Sequence, residues 1–240
     1  MGIRSEVRRY LAESARARAV SGLDVSGATL VRDFFPWRRS LRRSASPLGD
    51  GRPWMTFGAI AFLRRRLRPT MRALEFGSGG STIFVGRRVE HITTIEHDPG
   101  WAEQVVHAAA AAGLSNVRVQ VVEPEAGCRG ADPAEPRSYV SSAATYAGAN
   151  FARYAAASEA FADNSVDLVI LDGRARPSCG LHAIPKVRAG GLVVLDNAER
   201  SHYRWIHDAL DGPEWEKRVF SGPAPYHPEF WQTCVWTKAA

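Results

Sequence analysis

The chain has 240 residues, of which 45% are apolar and 23% charged, the composition of a globular protein with one sizeable core. No stretch approaches the roughly 20 apolar residues of a membrane helix, and charged side chains break up the first twenty positions, which argues against a secretory leader and a membrane partner. Residues 1–72 hold 16 Lys+Arg against 5 Asp+Glu, whereas the rest holds 15 against 20, so a basic segment precedes an acidic body. Cys128, Cys179 and Cys234 lie far apart with no Cys-x-x-Cys pair, which excludes a zinc knuckle and a disulfide framework and fits a cytoplasmic location.

In chain order, residues 1–52 read as a basic helical arm ending in a Pro/Ser/Gly-rich link, able to meet nucleic acid, an anionic surface or a phosphorylated substrate, or to be a solvated face. From residue 53 a second unit runs to 240. Short β-branched runs at 72–76, 91–96, 117–122, 166–171 and 191–195 alternate with helical stretches at 81–88, 100–112, 151–161, 177–188 and 201–210. That alternation predicts an α/β fold with a parallel sheet. Two further strand-like runs, 216–220 and 230–237, predict a terminal antiparallel hairpin. Residues 123–150 form a long Gly/Pro/Ala-rich insertion, read as a loop or lid.

The first strand runs into Leu74-Glu-Phe-Gly-Ser-Gly-Gly-Ser81, a turn of small residues that opens a helix. Such a turn lets a ligand approach the backbone and offers N–H groups to negative charge. Thr82 stands where the dinucleotide fingerprint needs glycine, and no Gly-Lys-Ser/Thr is present, which weakens both nucleotide-phosphate readings. The second strand ends in Thr94-Ile-Glu-His-Asp98, with Glu96 nineteen residues after Gly77. A carboxylate at the carboxyl end of a neighbouring strand can accept both hydroxyls of a ribose. His97 and Asp98 could alternatively cap the next helix, the preferred reading for Asp98.

These motifs, with Val166-Asp-Leu-Val-Ile-Leu-Asp-Gly173 and Ala189-Gly-Gly-Leu-Val-Val-Leu-Asp196, resemble the class I S-adenosylmethionine-dependent methyltransferases over about residues 53–238. The resemblance implies a Rossmann-like seven-stranded sheet of order 3-2-1-4-5-7-6, counting these seven strands along the chain, with the last antiparallel. It also implies that S-adenosylmethionine lies against Glu75, Gly77, Ser78, Gly79, Ser81, Glu96, His97, Glu123 and Asp172.

Asp172 and the Asp196-Asn197 pair follow the fourth and fifth core strands, and three oxygen ligands converging there suit Mg²⁺ or another hard cation. Their spacing resembles that of catechol and caffeoyl-coenzyme A O-methyltransferases, but Gly-Arg-Ala-Arg176 replaces the lysine those enzymes place after the first Asp. Without metal, Asp172 or His202 is the candidate base, with Tyr203 nearby. Strings around Asp172 and Asp196 also resemble a bacterial group associated with saccharide and natural-product pathways. Arg174, Arg176 and Arg200 suit an anionic small-molecule acceptor, since guanidinium groups fork onto carboxylate or phosphate. The expected activity is O-methyl transfer to such an acceptor. An RNA methyltransferase using the arm ranks second, ahead of a cofactor-binding protein without catalysis and an NAD-dependent oxidoreductase, and a homodimer is compatible with all of them.

Overall fold

The computed structural model describes residues 2–128 and 130–240. Two arm helices come first, α1 (Ile3–Ser21) and α2 (Gly27–Ser40). Gly22 ends α1 in the left-handed conformation at φ 63°, and Ser26 caps α2 by accepting from the Thr29 N–H at 3.2 Å. A single turn, α3 (Pro47–Asp50), and α4 (Phe57–Arg66) lead into the sheet unit. There follow β1 (Arg72–Phe76), α5 (Gly80–Gly86), β2 (His91–Glu96), α6 (Pro99–Ala111) and β3 (Val117–Val121). The insertion holds β4 (Glu125–Cys128) and β5 (Gly148–Asn150), and then come α7 (Ala152–Ala156), β6 (Val166–Leu171), α8 (Arg176–Ala183), β7 (Val187–Asp196), α9 (Arg204–Ala209), β8 (Trp215–Pro223) and β9 (Phe230–Lys238).

The main sheet has seven strands in the order β3-β2-β1-β6-β7-β9-β8, the predicted topology once the small β4-β5 ladder is set aside. β9 runs antiparallel to both of its neighbours, and β3-β2-β1-β6-β7 are parallel. Every residue of β6 is buried, because helices cover both faces: α7, α8 and α9 with Tyr154, Cys179 and Ile206 on one, α4 and α5 with Leu63, Phe84 and Val85 on the other. Parallel neighbours β1 and β6 share a register that brings Phe76 opposite Leu171, so the turns after both strands open at the same sheet edge.

Three expectations change in detail. The helix expected over 177–188 stops at Ala183 and gives way to a 3-10 turn, since Pro185 lacks the N–H and crowds the preceding turn. The stretches 151–161 and 201–210 likewise each divide into a short α-helix and a 3-10 turn. The insertion is not a bare loop, because β4 and β5 pair antiparallel and the Phe151 N–H donates to the Tyr139 carbonyl at 2.7 Å.

The arm packs rather than trailing in solvent. Tyr10, Phe34 and Trp37 surround Phe230 of β9 in an aromatic cluster, with the Tyr10 and Phe230 ring centroids 4.9 Å apart. The Trp37 indole N–H donates to the His227 carbonyl at 3.1 Å, which ties α2 to the loop between β8 and β9. Trp37 is 1% exposed, so Trp37→Ala should cost about 3–5 kcal/mol of folding stability in urea denaturation and make the arm cleavable by proteases in otherwise native protein.

Candidate functional site

β1 and β2 deliver two carboxylates to one turn, in opposite electrostatic states. Glu75 is fully buried, and its Oε2 accepts from the Thr82 hydroxyl at 2.6 Å. That hydroxyl in turn accepts from the Gly79 N–H at 2.9 Å, so Glu75 holds the turn through Thr82. Burial pushes the Glu75 carboxyl up to about 7 against the pull of neighbouring hydroxyls. Glu96 is also buried, which by itself would raise its pKa, but hydrogen bonds overcome burial and hold it at about 2. Its Oε2 accepts from the Ser78 N–H at 2.8 Å and the Ser78 hydroxyl at 2.7 Å, and its Oε1 from the His97 N–H at 2.8 Å and the Asp98 N–H at 3.1 Å. The His97 Nδ1 lies 2.6 Å from the same Oε1.

Gly77 sits at φ 87°, and a Cβ on it would come within 2.7 Å of the Gly173 Cα, so only glycine lets the turns after β1 and β6 touch. The N–H groups of Gly77, Ser78 and Gly79 donate to Ile95, Glu96 and Thr82. The turn therefore offers close backbone approach, while its donors are committed to holding its shape. Asp98 caps α6 through the Trp101 N–H at 2.9 Å, as expected. The Trp101 indole N–H donates to the Ser78 carbonyl at 2.8 Å, and the Tyr146 hydroxyl lies 2.7 Å from His97 Nε2. These two aromatic side chains flank the turn, Tyr146 arriving from the insertion.

At the ends of β6 and β7 the centre is a guanidinium. Arg176 is 7% exposed and spans both strand ends: it donates to the Asp172 carboxylate at 2.8 Å, to the Asp172 carbonyl and Gly173 carbonyl at 3.1 Å each, and to the Asp196 carbonyl at 2.5 Å. Asp196 Oδ1 accepts from the Trp231 indole at 3.0 Å and the Thr233 hydroxyl at 2.6 Å. Burial raises both carboxyls; for Asp196, the neighbouring Asp172 charge adds to burial and Arg176 opposes it.

This arrangement competes with the expected Mg²⁺ set of Asp172, Asp196 and Asn197. A buried positive charge already bridges the two strand ends, Asp172 is ion-paired to it, and one Asp196 oxygen is taken by two donors. Among the described residues no group of three His, Cys, Asp or Glu side chains could hold a metal ion. A divalent cation here would have to displace the Arg176 contact from Asp172 and compete with the two donors on Asp196 Oδ1.

A cavity of about 990 Å³ runs over both strand-end clusters and brings together Gly77, Ser78, Gly79, Ser81, Glu96, His97 and Asp172 among the expected site residues, with Asp196 and Asn197. Glu75, Glu123 and His202 fall outside it, Glu75 because it is sealed beneath the turn. Glu123 is exposed and does not line the cavity, because the chain turns outward after β3 into the β4-β5 ladder. His202 lies in a separate pocket beside Ser142, 3.2 Å from its hydroxyl, so it does not reach Asp196's side of the cavity. Of the tyrosines in and after the insertion, Tyr146 lines the cavity, whereas Tyr139 pairs with His182 at 3.1 Å and Tyr154 is buried behind Gly173. Sequence reasoning missed Trp101, Trp54 and Trp231, which line the cavity together with Glu13, Arg16 and Ala17 of α1. No local motif marks them, since their role depends on how the arm and hairpin dock.

No family model and no curated protein sequence matches the chain. Solved structures do. A Klebsiella pneumoniae protein described as an O-methyltransferase superposes with a TM-score of 0.57 at 15% identity, over 98% of this chain and all of the other. A Bacillus cereus O-methyltransferase in complex with S-adenosylhomocysteine gives 0.56 at 14% identity, over 97% and 99%. The Streptomyces achromogenes O-methyltransferase TomG, involved in tomaymycin synthesis and crystallised with S-adenosylmethionine, gives 0.52 at 18% identity, over 98% and 99%. The chain thus has the Rossmann-like fold of class I S-adenosylmethionine-dependent methyltransferases.

The raised Glu75 pKa has a testable sign. An unfolded chain ionises this carboxyl from about 4.5, the folded one from about 7, so the wild type loses stability as pH rises between those values. Relative to wild type, Glu75→Gln should therefore gain stability from pH 4.5 to 7 and show no further gain above it, read from denaturation midpoints at each pH.

Proposed function

We propose that the protein transfers a methyl group from S-adenosylmethionine to a hydroxyl of a small anionic acceptor, such as a saccharide or natural-product intermediate. The observation that carries this reading is the junction of the Gly77-Ser78-Gly79 turn with Glu96, opening onto a cavity whose far side is lined by α1 and the β8-β9 hairpin. The residues fit the cofactor. A Cβ on Gly79 would meet only the Trp101 ring, at 3.9 Å, so that side of the turn is free for a ligand to rest on. Two of the groups on Glu96, the Ser78 hydroxyl and the His97 ring, are side chains that can swing away and yield their places to ribose hydroxyls, while the main-chain N–H groups keep the carboxylate ionised. Trp101 and Tyr146 supply flat apolar surfaces beside it.

Bound there, the cofactor supplies an electrophilic methyl on a sulfonium, and the chain's own task is to orient the acceptor, exclude water and take a proton from its hydroxyl. Asp172 and Asp196 face the cavity with one guanidinium between them, so the two carboxylates cannot both be fully compensated and the pair holds a proton near neutrality. This pair, rather than His202, is the base the geometry favours. Arg174 and Arg200, both on the cavity wall, suit the acceptor's negative charge.

Calorimetric titration with S-adenosylhomocysteine should show binding that Glu96→Ala weakens by about 1.5–3 kcal/mol, the scale of hydrogen bonds to a charged group; unchanged affinity would remove Glu96 from the site. In a methyl-transfer screen, kcat/KM should rise with pH to a plateau as the Asp172–Asp196 pair loses its proton. Asp172→Asn and Asp196→Asn should each lower kcat by about 100-fold or more. EDTA should leave the rate unchanged.

A further inference from the structure

Beside the main cavity lies a second pocket of about 150 Å³, lined by Arg174, Arg176, Arg200, Ser142, His202 and Tyr203 among others. Its wall is shared with the cavity through Gly173, Arg174, Arg176 and Arg200, so a molecule with its reacting atom beside Asp172 and Asp196 could extend one end into it.

The charges in this pocket do not balance. Arg176 is compensated by Asp172. Arg174 rests its guanidinium 4.9 Å over the Tyr146 ring, and neither it nor Arg200 makes an ion pair among the described residues. Asp132 is near enough to act on His202, but it does not line the pocket, and its Oδ1 accepts from the Ala134 N–H. Two guanidinium groups without an ion-pair partner among the described residues, with the Ser142 hydroxyl and the His202 ring in mutual contact at 3.2 Å, therefore line a space with room for a single small polar group. Cations gathered in this way make a favourable place for an anion. A planar carboxylate is satisfied by one bidentate arginine, whereas donors arriving from several directions match a tetrahedral oxyanion of higher charge.

We propose that this pocket is the subsite for a phosphate-class anion carried by the acceptor, so that the substrates are hydroxylated phosphate monoesters. The assignment rests on the methyl-transfer reading above and names its substrate class. Arg200 and Arg174 hold the anion, His202 and Ser142 add hydrogen bonds, and the ester linkage passes along the shared wall toward the strand-end carboxylates.

The test uses the full chain saturated with S-adenosylhomocysteine and inorganic phosphate as the probe, followed by calorimetry and phosphorus NMR. Saturable binding is expected, weakened by about 10-fold or more in Arg200→Gln and Arg174→Gln, as the loss of a charge-assisted contact requires. It should be unaltered in Arg204→Gln, whose side chain is exposed on α9 and pairs with Asp208. Arg200 is exposed, so its variant should keep the wild-type urea denaturation midpoint, which verifies folding. In the activity arm, phosphate monoesters should be methylated in preference to their neutral parents, with inorganic phosphate competing against the ester. Phosphate binding equal in wild type and Arg200→Gln would overturn the subsite, as would acetate binding as tightly as phosphate at equal ionic strength. Binding of phosphate without competition would mark a detached site for the free ion and overturn the assignment to the acceptor. Loss of the underlying reading shows separately, as failure to bind S-adenosylhomocysteine at all.

Discussion

The guanidinium of Arg176 is the constraint on which the candidate site depends. Two parallel strands end side by side with an aspartate each, Asp196 buried and Asp172 part-buried, and desolvation raises both carboxyls. A compensating cation is required. Here it comes from the first turn of α8, where a planar fork reaches three backbone carbonyls as well as Asp172. The residue just before it, Ala175, takes a left-handed backbone at φ 44° to let the chain turn back over its own strand end. A built-in cation differs from a bound ion in that it cannot be exchanged, and its geometry is set by the fold. It also leaves one proton to be shared between two carboxylates, which is how a site lacking a titratable lysine can still carry a base.

The cavity is closed by elements that the sheet does not dictate. α1 would be a weak helix alone, rich in arginine and with little apolar face, and it is held by Tyr10 and its aromatic neighbours against Phe230. The same docking brings Glu13 and Arg16 to the cavity, where Arg16 pairs with Glu229 of the hairpin loop at 3.1 Å. The positive charge of the arm is thus partly spent inside the molecule, on Glu229, on Asp24 and, through Arg38, on Glu6.

The sheet was legible because its information is local and redundant: five β-branched runs alternate with helical stretches before the hairpin. Glu75, Glu96 and the Gly77–Gly79 turn were legible for the same reason, since strand-end position follows from pattern. What stayed hidden was pairing. Asp196 and Asn197 match a metal-binding spacing, but Arg176 lies four residues beyond Asp172, and only the turn of the chain into α8 shows that its guanidinium sits between the two strand ends. Glu123 lies outside the cavity because the chain turns outward after β3 ends. His202 lies in the smaller pocket because the short 3-10 turn after β7 carries it there.

Glu75 and Glu96 show that identical side chains near neighbouring strand ends can be set to opposite states by the balance between burial and hydrogen-bond donors. Glu96 receives three N–H and hydroxyl bonds within 2.8 Å, stays ionised, and faces the cavity. Glu75 has one hydroxyl on Oε2 and no hydrogen-bond partner on Oε1, and it lies sealed beneath the turn with its ionisation suppressed. A buried acid kept near neutrality contributes little attraction to any ligand, so its value is mechanical: through Thr82 it locks Gly79 and with it the wall against which a ligand must rest. In the proposed reading, recognition falls to the carboxylate whose bonds include replaceable side chains, and shape to the one whose bonds do not reach the cavity.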